Sequence, residues 1–160
     1  MNTRAVVSAG ARQVDGTFTE VTSGKHTWYI DEPAPFGGED RAPSPVQAML
    51  GALAGCLVAA GRQAAGELGL PLCQLECSIS GQICSDRFFG KTESRERAGF
   101  REIVITFKGP PDWTPAQRSL WTAEVLERCP VMDNLLFETP IKAVWQDSCE
   151  GMDSAFVQDR

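Results

Sequence analysis

Along the chain, apolar residues recur at every second position in some stretches and at helical spacing in others. Residues 4–31 alternate weakly. The turn signals Val14-Asp15-Gly16 and Ser23-Gly24-Lys25 interrupt them, which predicts short antiparallel strands near 4–11, 16–22 and 26–31. The stretch 31–45, DEPAPFGGEDRAPSP, holds neither period, and its prolines and glycines read as a loop. Residues 72–83 place Cys73, Leu75, Cys77 and Ile79 on one face and Gln74, Glu76, Ser78 and Ser80 on the other, as in a half-buried strand. A charged connection, SDRFFGKTESRERAG, leads to a second such strand over 101–108, with Ile103, Ile105 and Phe107 inward. A last strand is expected over 141–148, with Ile141, Ala143 and Trp145 on one side.

Two helices lie between these strands. Ser44 is placed to cap the first, and Pro45 suits its first helical position. Nothing stops it before about Leu68, a length of roughly 37 Å at about 1.5 Å per residue. Val46, Met49, Leu50, Leu53, Cys56, Leu57 and Ala60 cover most of its circumference, so burial on all sides is expected. Gly51, Ala52, Gly55 and Ala59 form a small-residue side that lets another backbone come close. One sheet cannot cover both faces, so a second copy of the chain is expected over the other. Thr114 and Pro115 begin the second helix, which runs to about Arg128 with Leu120, Val125 and Leu126 as its buried face. Pro130 breaks it.

At 160 residues the chain reads as one domain over 1–148, with 149–160 a poorly ordered tail. The net charge of −6 and the lack of any basic run argue against nucleic acid as a partner. No uninterrupted apolar run approaches the roughly 18 residues of a membrane span, and the N-terminus does not read as a signal peptide. A cytoplasmic chain is therefore expected, and its six cysteines call for separate readings rather than a disulfide scaffold.

Cys73 and Cys77 fit the apolar face of a strand as small hydrophobes. Cys84 adds a third thiol, but the single histidine, His26, lies far off in sequence and reads as a solvated strand residue, so no metal site is assigned. Cys149 reads as exposed. Cys129, in LERCPVMDNLL, would cap a short helix begun by Pro130. There it is either a thiol activated by the helix N-terminus or an inert capping residue. Arg128 would add positive charge if its side chain turned that way, and Asp133 would oppose it. Cys56 sits in GALAGCLVAA with no acid, base or cation within one helical turn. Taken alone it reads as core filler. Any activation must come from another segment, with Arg12, Lys25, Arg41 and Arg87 as the unplaced cations.

DEPAPFGG, then APSPVQAMLGALAGC, then ERCPVMDNL followed by PIKAV, together resemble the OsmC/Ohr superfamily from about residue 20 to 146. The resemblance implies an α+β fold in an intertwined homodimer, with long central helices packed beneath wrapped antiparallel sheets. It implies that Cys56 attacks an organic hydroperoxide, that Cys129 resolves the product to a disulfide, and that a small dithiol or lipoyl-type reductant restores the enzyme. The sites would lie at the dimer interface, with no metal or organic cofactor. The apolar surround of Cys56 would then be a pocket wall for the peroxide's hydrocarbon tail. Active members of the family carry a glutamate near the start of the long helix, paired with an arginine that contacts the reactive cysteine. Here that stretch reads Val46-Gln47. Arg12 matches the arginine position of one branch and Arg41 is a second choice. Two other functions stay open at this point. One is a non-catalytic dimer that binds an apolar ligand with passive thiols. The other is thiol–disulfide exchange, which no Cys-x-x-Cys motif supports.

Overall fold

The computed structural model describes residues 4–91, 93 and 96–145. It is an α+β arrangement of two antiparallel sheets and three α-helices. β1 (Gly10–Asp15), β2 (Phe18–Ser23) and β3 (His26–Ile30) form one sheet in sequence order. After a 3₁₀ turn at Ala34–Phe36 come α1 (Pro45–Glu67), the pair β4 (Glu76–Ile83) and β5 (Phe100–Lys108), then α2 (Pro115–Arg128) and α3 (Pro130–Leu136).

The two longer helices begin alike, with Ser44-Pro45-Val46-Gln47 and Thr114-Pro115-Ala116-Gln117. Each hydroxyl accepts a hydrogen bond from the glutamine backbone N–H three residues on. Each glutamine side-chain oxygen accepts one from the cap residue's N–H at 2.8 Å. These capping boxes satisfy backbone donors that have no partner inside the helix. The expected starts of both helices hold.

Three strand expectations need correction, two at an end and one over its whole described length, each for want of a partner. The first strand begins at Gly10, opposite Thr22, and not at residue 4. The chain turns at Gly24, in the left-handed region at φ 55°, and β3 forms on the far side of β2. Among the described residues, 4–9 then have no strand opposite them, and one hydrogen bond runs from Ser23 Oγ to the Ser8 carbonyl. β4 begins at Glu76, not 72, because its partner ends at Lys108 opposite Glu76 and runs into Gly109-Pro110-Pro111, which cannot extend a ladder. Cys73 is consequently exposed rather than on a buried strand face. Residues 141–145 form no strand, and Ile141, Val144 and Trp145 are exposed, since no sheet edge in the described chain meets them. Residues 146–148 of that expected strand, and the tail with Cys149, lie outside the described residues.

The core gathers Leu53, Leu57, Ala64 and Ala65 of α1 against Trp121, Val125, Cys129 and Met132. Cys77, Ile79, Ile103, Ile105 and Phe107 of β4–β5 flank it. On α2 the buried residues are Trp121 and Val125, with Leu126 partly buried. Leu120, expected inside, is 52% exposed. The stripe runs Trp121–Val125–Cys129, every fourth residue, and ends on the thiol.

α1 is not enclosed on all sides within one chain. Gly51, Ala52, Gly55 and Ala59 are exposed, and a Cβ added at Gly51 or Gly55 would meet nothing within 4 Å. Although no uninterrupted apolar run reaches membrane length, α1 is long and apolar enough to cross a bilayer by averaged hydropathy. Its Leu53 and Leu57 are nevertheless buried at 0% exposure in the core shared with α2 and flanked by the β4–β5 pair. The β1–β3 sheet packs on none of the helices to any extent, and Trp28 and Tyr29 on it are 40% and 42% exposed.

One buried carboxylate shapes the loop from β3 to α1. Asp31 is wholly buried. It accepts hydrogen bonds from Thr17 Oγ1 at 2.6 Å and from the backbone N–H groups of Glu32, Glu39 and Arg41 at 2.9–3.2 Å. The Thr17 hydroxyl, followed by these amides, outweighs burial and holds the carboxyl far below the usual carboxylate range. The unfolded chain returns it to roughly 3.9. Its ionisation therefore contributes stability in full above that value, and the contribution is lost as pH falls toward the folded pKa. Asp31→Asn is expected to melt lower than wild type at pH 7 and to show a flatter dependence of melting temperature on pH below about 4. Equal melting temperatures at pH 7 would contradict this account of the loop.

Candidate functional site

Cys56 projects from the middle of α1 on the rim of its buried stripe, between Leu53 and Leu57, and is half-buried. Cys129 is the only residue between α2 and α3, serving as C-cap of one and N-cap of the other in an extended conformation (φ −80°, ψ 108°). Pro130 has no N–H to lose at the first position of α3. The Met132 N–H donates to Cys129 Sγ at 3.4 Å, and the Asp133 N–H donates to the Cys129 carbonyl at 2.9 Å. Cys129 thus caps the short helix as the sequence suggests.

The two thiols adjoin. Cys56 is a hydrogen-bond and charge partner of Cys129, and both are free. Burial, helped by Cys56, pushes the Cys129 thiol above its ordinary value, although the Met132 and Val131 amides pull the other way. Activation by the helix N-terminus therefore loses to desolvation. Cys129 has 0% exposure and is a poor thiolate at rest, whereas Cys56 is half-buried and reachable.

Near these thiols the chain supplies less charge than the sequence suggests. Arg128 does not turn toward Cys129; its guanidinium pairs with Glu67 and Glu124. Arg12 pairs with Glu20 across the β1–β2 ladder at 2.9 Å. Arg41 is built into the Asp31 loop: its Nε lies 3.5 Å from Asp31, its Nη2 lies 3.7 Å from Asp15, and its guanidinium carbon stands 4.2 Å above the Phe18 ring. Gln47 spends its side-chain oxygen on the Ser44 cap. Hence the structure brings Cys56 and Cys129 together, while Arg12, Arg41 and Gln47 have other partners in the chain. The cap role of Gln47 was readable as Ser-x-x-Gln.

Of the remaining cysteines, Cys77 packs against the core and burial raises its pKa. Cys84 is half-buried and hydrogen-bonds Asp86, which also binds Lys91 at 2.9 Å. His26 is exposed at the start of β3, as expected. A cleft of about 500 Å³ opens elsewhere, over Leu75, Phe107, Trp113 and Trp121, with Lys108 and Arg118 at its sides. Neither thiol lines it.

Residues 37–144, more than half of the chain, match the OsmC-like protein family. The chain belongs to the OsmC-like family. Both thiols fall within the matched segment. No curated protein matches the chain. Among solved structures, an OsmC-like protein from Mycoplasma pneumoniae is 18% identical with a TM-score of 0.66, over 85% of this chain and 89% of its own. An organic hydroperoxide resistance protein OsmC from Legionella pneumophila is 18% identical with a TM-score of 0.65, over 84% and 91%. An organic hydroperoxide resistance protein from Elizabethkingia anophelis is 17% identical with a TM-score of 0.63, over 84% and 90%. At these identities the likeness establishes the OsmC/Ohr fold.

Proposed function

We propose that this OsmC-like protein is a cysteine-based peroxidase that reduces organic hydroperoxides. The observation that carries the reading is the pair of adjoining free thiols, one reachable and one enclosed. Cys56 loses its proton and attacks the distal peroxide oxygen. The O–O bond breaks, the alcohol leaves with a proton, and Cys56 becomes a sulfenic acid. Cys129 then attacks the Cys56 sulfur; the S–S bond forms and the hydroxyl leaves as water. In sum, two thiols and one hydroperoxide give one disulfide, one alcohol and one water. A small dithiol of the lipoyl type returns the pair to thiols by two exchanges. Arg12 and Arg41 serve the sheet and loop of their own chain, so the proposal gives neither a catalytic role.

The working form is proposed to be a homodimer. The open small-residue side of α1, and a three-stranded sheet that packs on none of the helices to any extent among the described residues, both favour it. A species of one 17.4 kDa chain at micromolar concentration in sedimentation equilibrium would count against the dimer.

The activity is tested by cumene hydroperoxide consumption with dihydrolipoamide as reductant. Protein-dependent turnover is expected, and consumption no faster than the protein-free control would exclude the peroxidase. The second reading, an apolar-ligand carrier, is favoured by the indole-lined cleft that contains neither thiol. Its mark would be ligand-induced stabilisation that Cys56→Ser leaves intact.

A further inference from the structure

Arg128 is the chain neighbour of Cys129, yet the two side chains grip α1 at different places. Cys129 meets Cys56 in the middle of the helix, and Arg128 meets Glu67, its last residue. Eleven positions separate Cys56 from Glu67, roughly 16 Å at about 1.5 Å per residue. The second arm of the guanidinium holds Glu124, one turn back on α2. Glu67 is fixed in turn by Gln63, whose side-chain N–H donates to it at 3.1 Å. Two i,i+4 pairs, one on each helix, are therefore joined by a single two-armed cation, the geometry for which arginine is suited. Arg128 also holds the Glu67 carboxyl below its ordinary pKa, so the link persists when the medium is mildly acidic.

Cys129 itself is the one non-helical residue between α2 and α3. A junction attached to α1 at one point can pivot. Attached at two points, it is fixed in rotation as well as position.

We propose that Arg128, with Glu67 and Glu124, is a positioning clamp that keeps Cys129 facing Cys56 and so sets how fast the Cys56 sulfenic acid is closed to a disulfide. This rests on the peroxidase reading. The clamp matters because closure competes with a second oxidation. In closure, Cys129 attacks Cys56 Sγ, the S–O bond breaks, and the hydroxyl leaves as water with the Cys129 proton. In the competing step, another hydroperoxide transfers an oxygen atom to the sulfenic acid, giving sulfinic acid and one alcohol, which this pair cannot reverse. The clamp's contribution to overall stability is small, because its side chains are 41%, 49% and 30% exposed. Variants in it are accordingly expected to fold.

The test uses the reduced full chain and the variants Arg128→Met, Arg128→Lys and Glu67→Gln. After excess cumene hydroperoxide and a thiol-blocking quench, mass spectrometry gives the ratio of Cys56–Cys129 disulfide to Cys56 sulfinic acid. Arg128→Met is expected to lower that ratio about tenfold, the scale of a sub-ångström misplacement. Arg128→Lys, with one point charge for two acceptors, should fall between it and wild type, and Glu67→Gln should move the same way by less. Raising salt to about 1 M, where screening acts within roughly 3 Å, should lower the wild-type ratio but leave Arg128→Met unchanged. A wild-type ratio in Arg128→Met would overturn the clamp. The same variants equilibrated in glutathione buffers report the effective concentration of one thiol for the other without any peroxide. An unchanged value there overturns the clamp as well. Wild-type thiols that ignore peroxide while Arg128→Met still lowers the effective concentration would sink the peroxidase reading and leave the clamp standing.

Discussion

Cys56→Ser is expected to lower hydroperoxide turnover by at least about 10³-fold, to the level of the uncatalysed reaction. A serine hydroxyl does not ionise near neutral pH and cannot take the peroxide oxygen. Cys129 cannot substitute for it, because its thiol is fully enclosed and burial disfavours its thiolate. Cys129→Ser should behave differently. Cys56 stays reachable, so each chain should consume one equivalent of hydroperoxide in a burst and stall as sulfenic acid, with a second equivalent taken up more slowly where it passes on to sulfinic acid. Both variants are near-isosteric and should fold. Steady-state assays with dihydrolipoamide and single-turnover assays without it separate the two. The reverse pattern, with Cys129→Ser silent and Cys56→Ser giving the burst, would exchange the roles.

Trp121→Ala is expected to destabilise the chain by about 3–5 kcal/mol, the range for removing a large buried aromatic side chain. Trp121 is 3% exposed. Its ring packs edge-on against Phe107 at 5.0 Å and against Trp113 at 5.5 Å. Its indole N–H donates to the Gly61 carbonyl of α1 at 2.8 Å. Gly61 admits this contact. A Cβ at that position would stand 2.5 Å from the Trp121 ring and 2.8 Å from Leu75 Cδ2, both in the packed interior. Gly61→Ala would gain roughly 1 kcal/mol of helix propensity elsewhere, but here overpacking should give a net loss within about 1–3 kcal/mol. The Trp121–Val125–Cys129 stripe carries the effect to the site, because a shifted α2 moves the enclosed thiol. Urea denaturation measures the change. A loss under about 1 kcal/mol for Trp121→Ala would mean that the ring is not a principal contact of the core.

How far the sequence speaks depends on whether a feature is local. Ser44-Pro45, Thr114-Pro115 and Cys129-Pro130 each fix a helix start through adjacent residues, and all three stand where the sequence places them. Strand centres are equally plain, since alternation on 76–83 and 101–108 is local. Strand ends are not, because a partner decides them: β5 stops at Gly109-Pro110, and β2 turns away at Gly24. On α2, apolar residues come in adjacent pairs, Leu120–Trp121 and Val125–Leu126, so spacing alone cannot choose the inner face. Extending the stripe to Cys129 chooses Trp121 and Val125. The pairing of Cys56 with Cys129 came through motif resemblance and has a counterpart in the packing. The cations are the least legible. Arg128 finds Glu67 from another helix, and Arg41 finds Asp31 through a loop whose shape depends on a buried carboxylate. Neither distance along the chain nor charge type announces such partners.

The most direct test of the account is mass spectrometry of the reduced chain before and after one equivalent of cumene hydroperoxide, with thiol blocking and peptide mapping. The account predicts a loss of two mass units per chain and a single crosslinked peptide pair holding Cys56 and Cys129, with Cys73, Cys77 and Cys84 still blocked as thiols, two mass units being the two hydrogens released as one disulfide forms. An unchanged mass, or a crosslink that omits either of the two sulfurs, would contradict it.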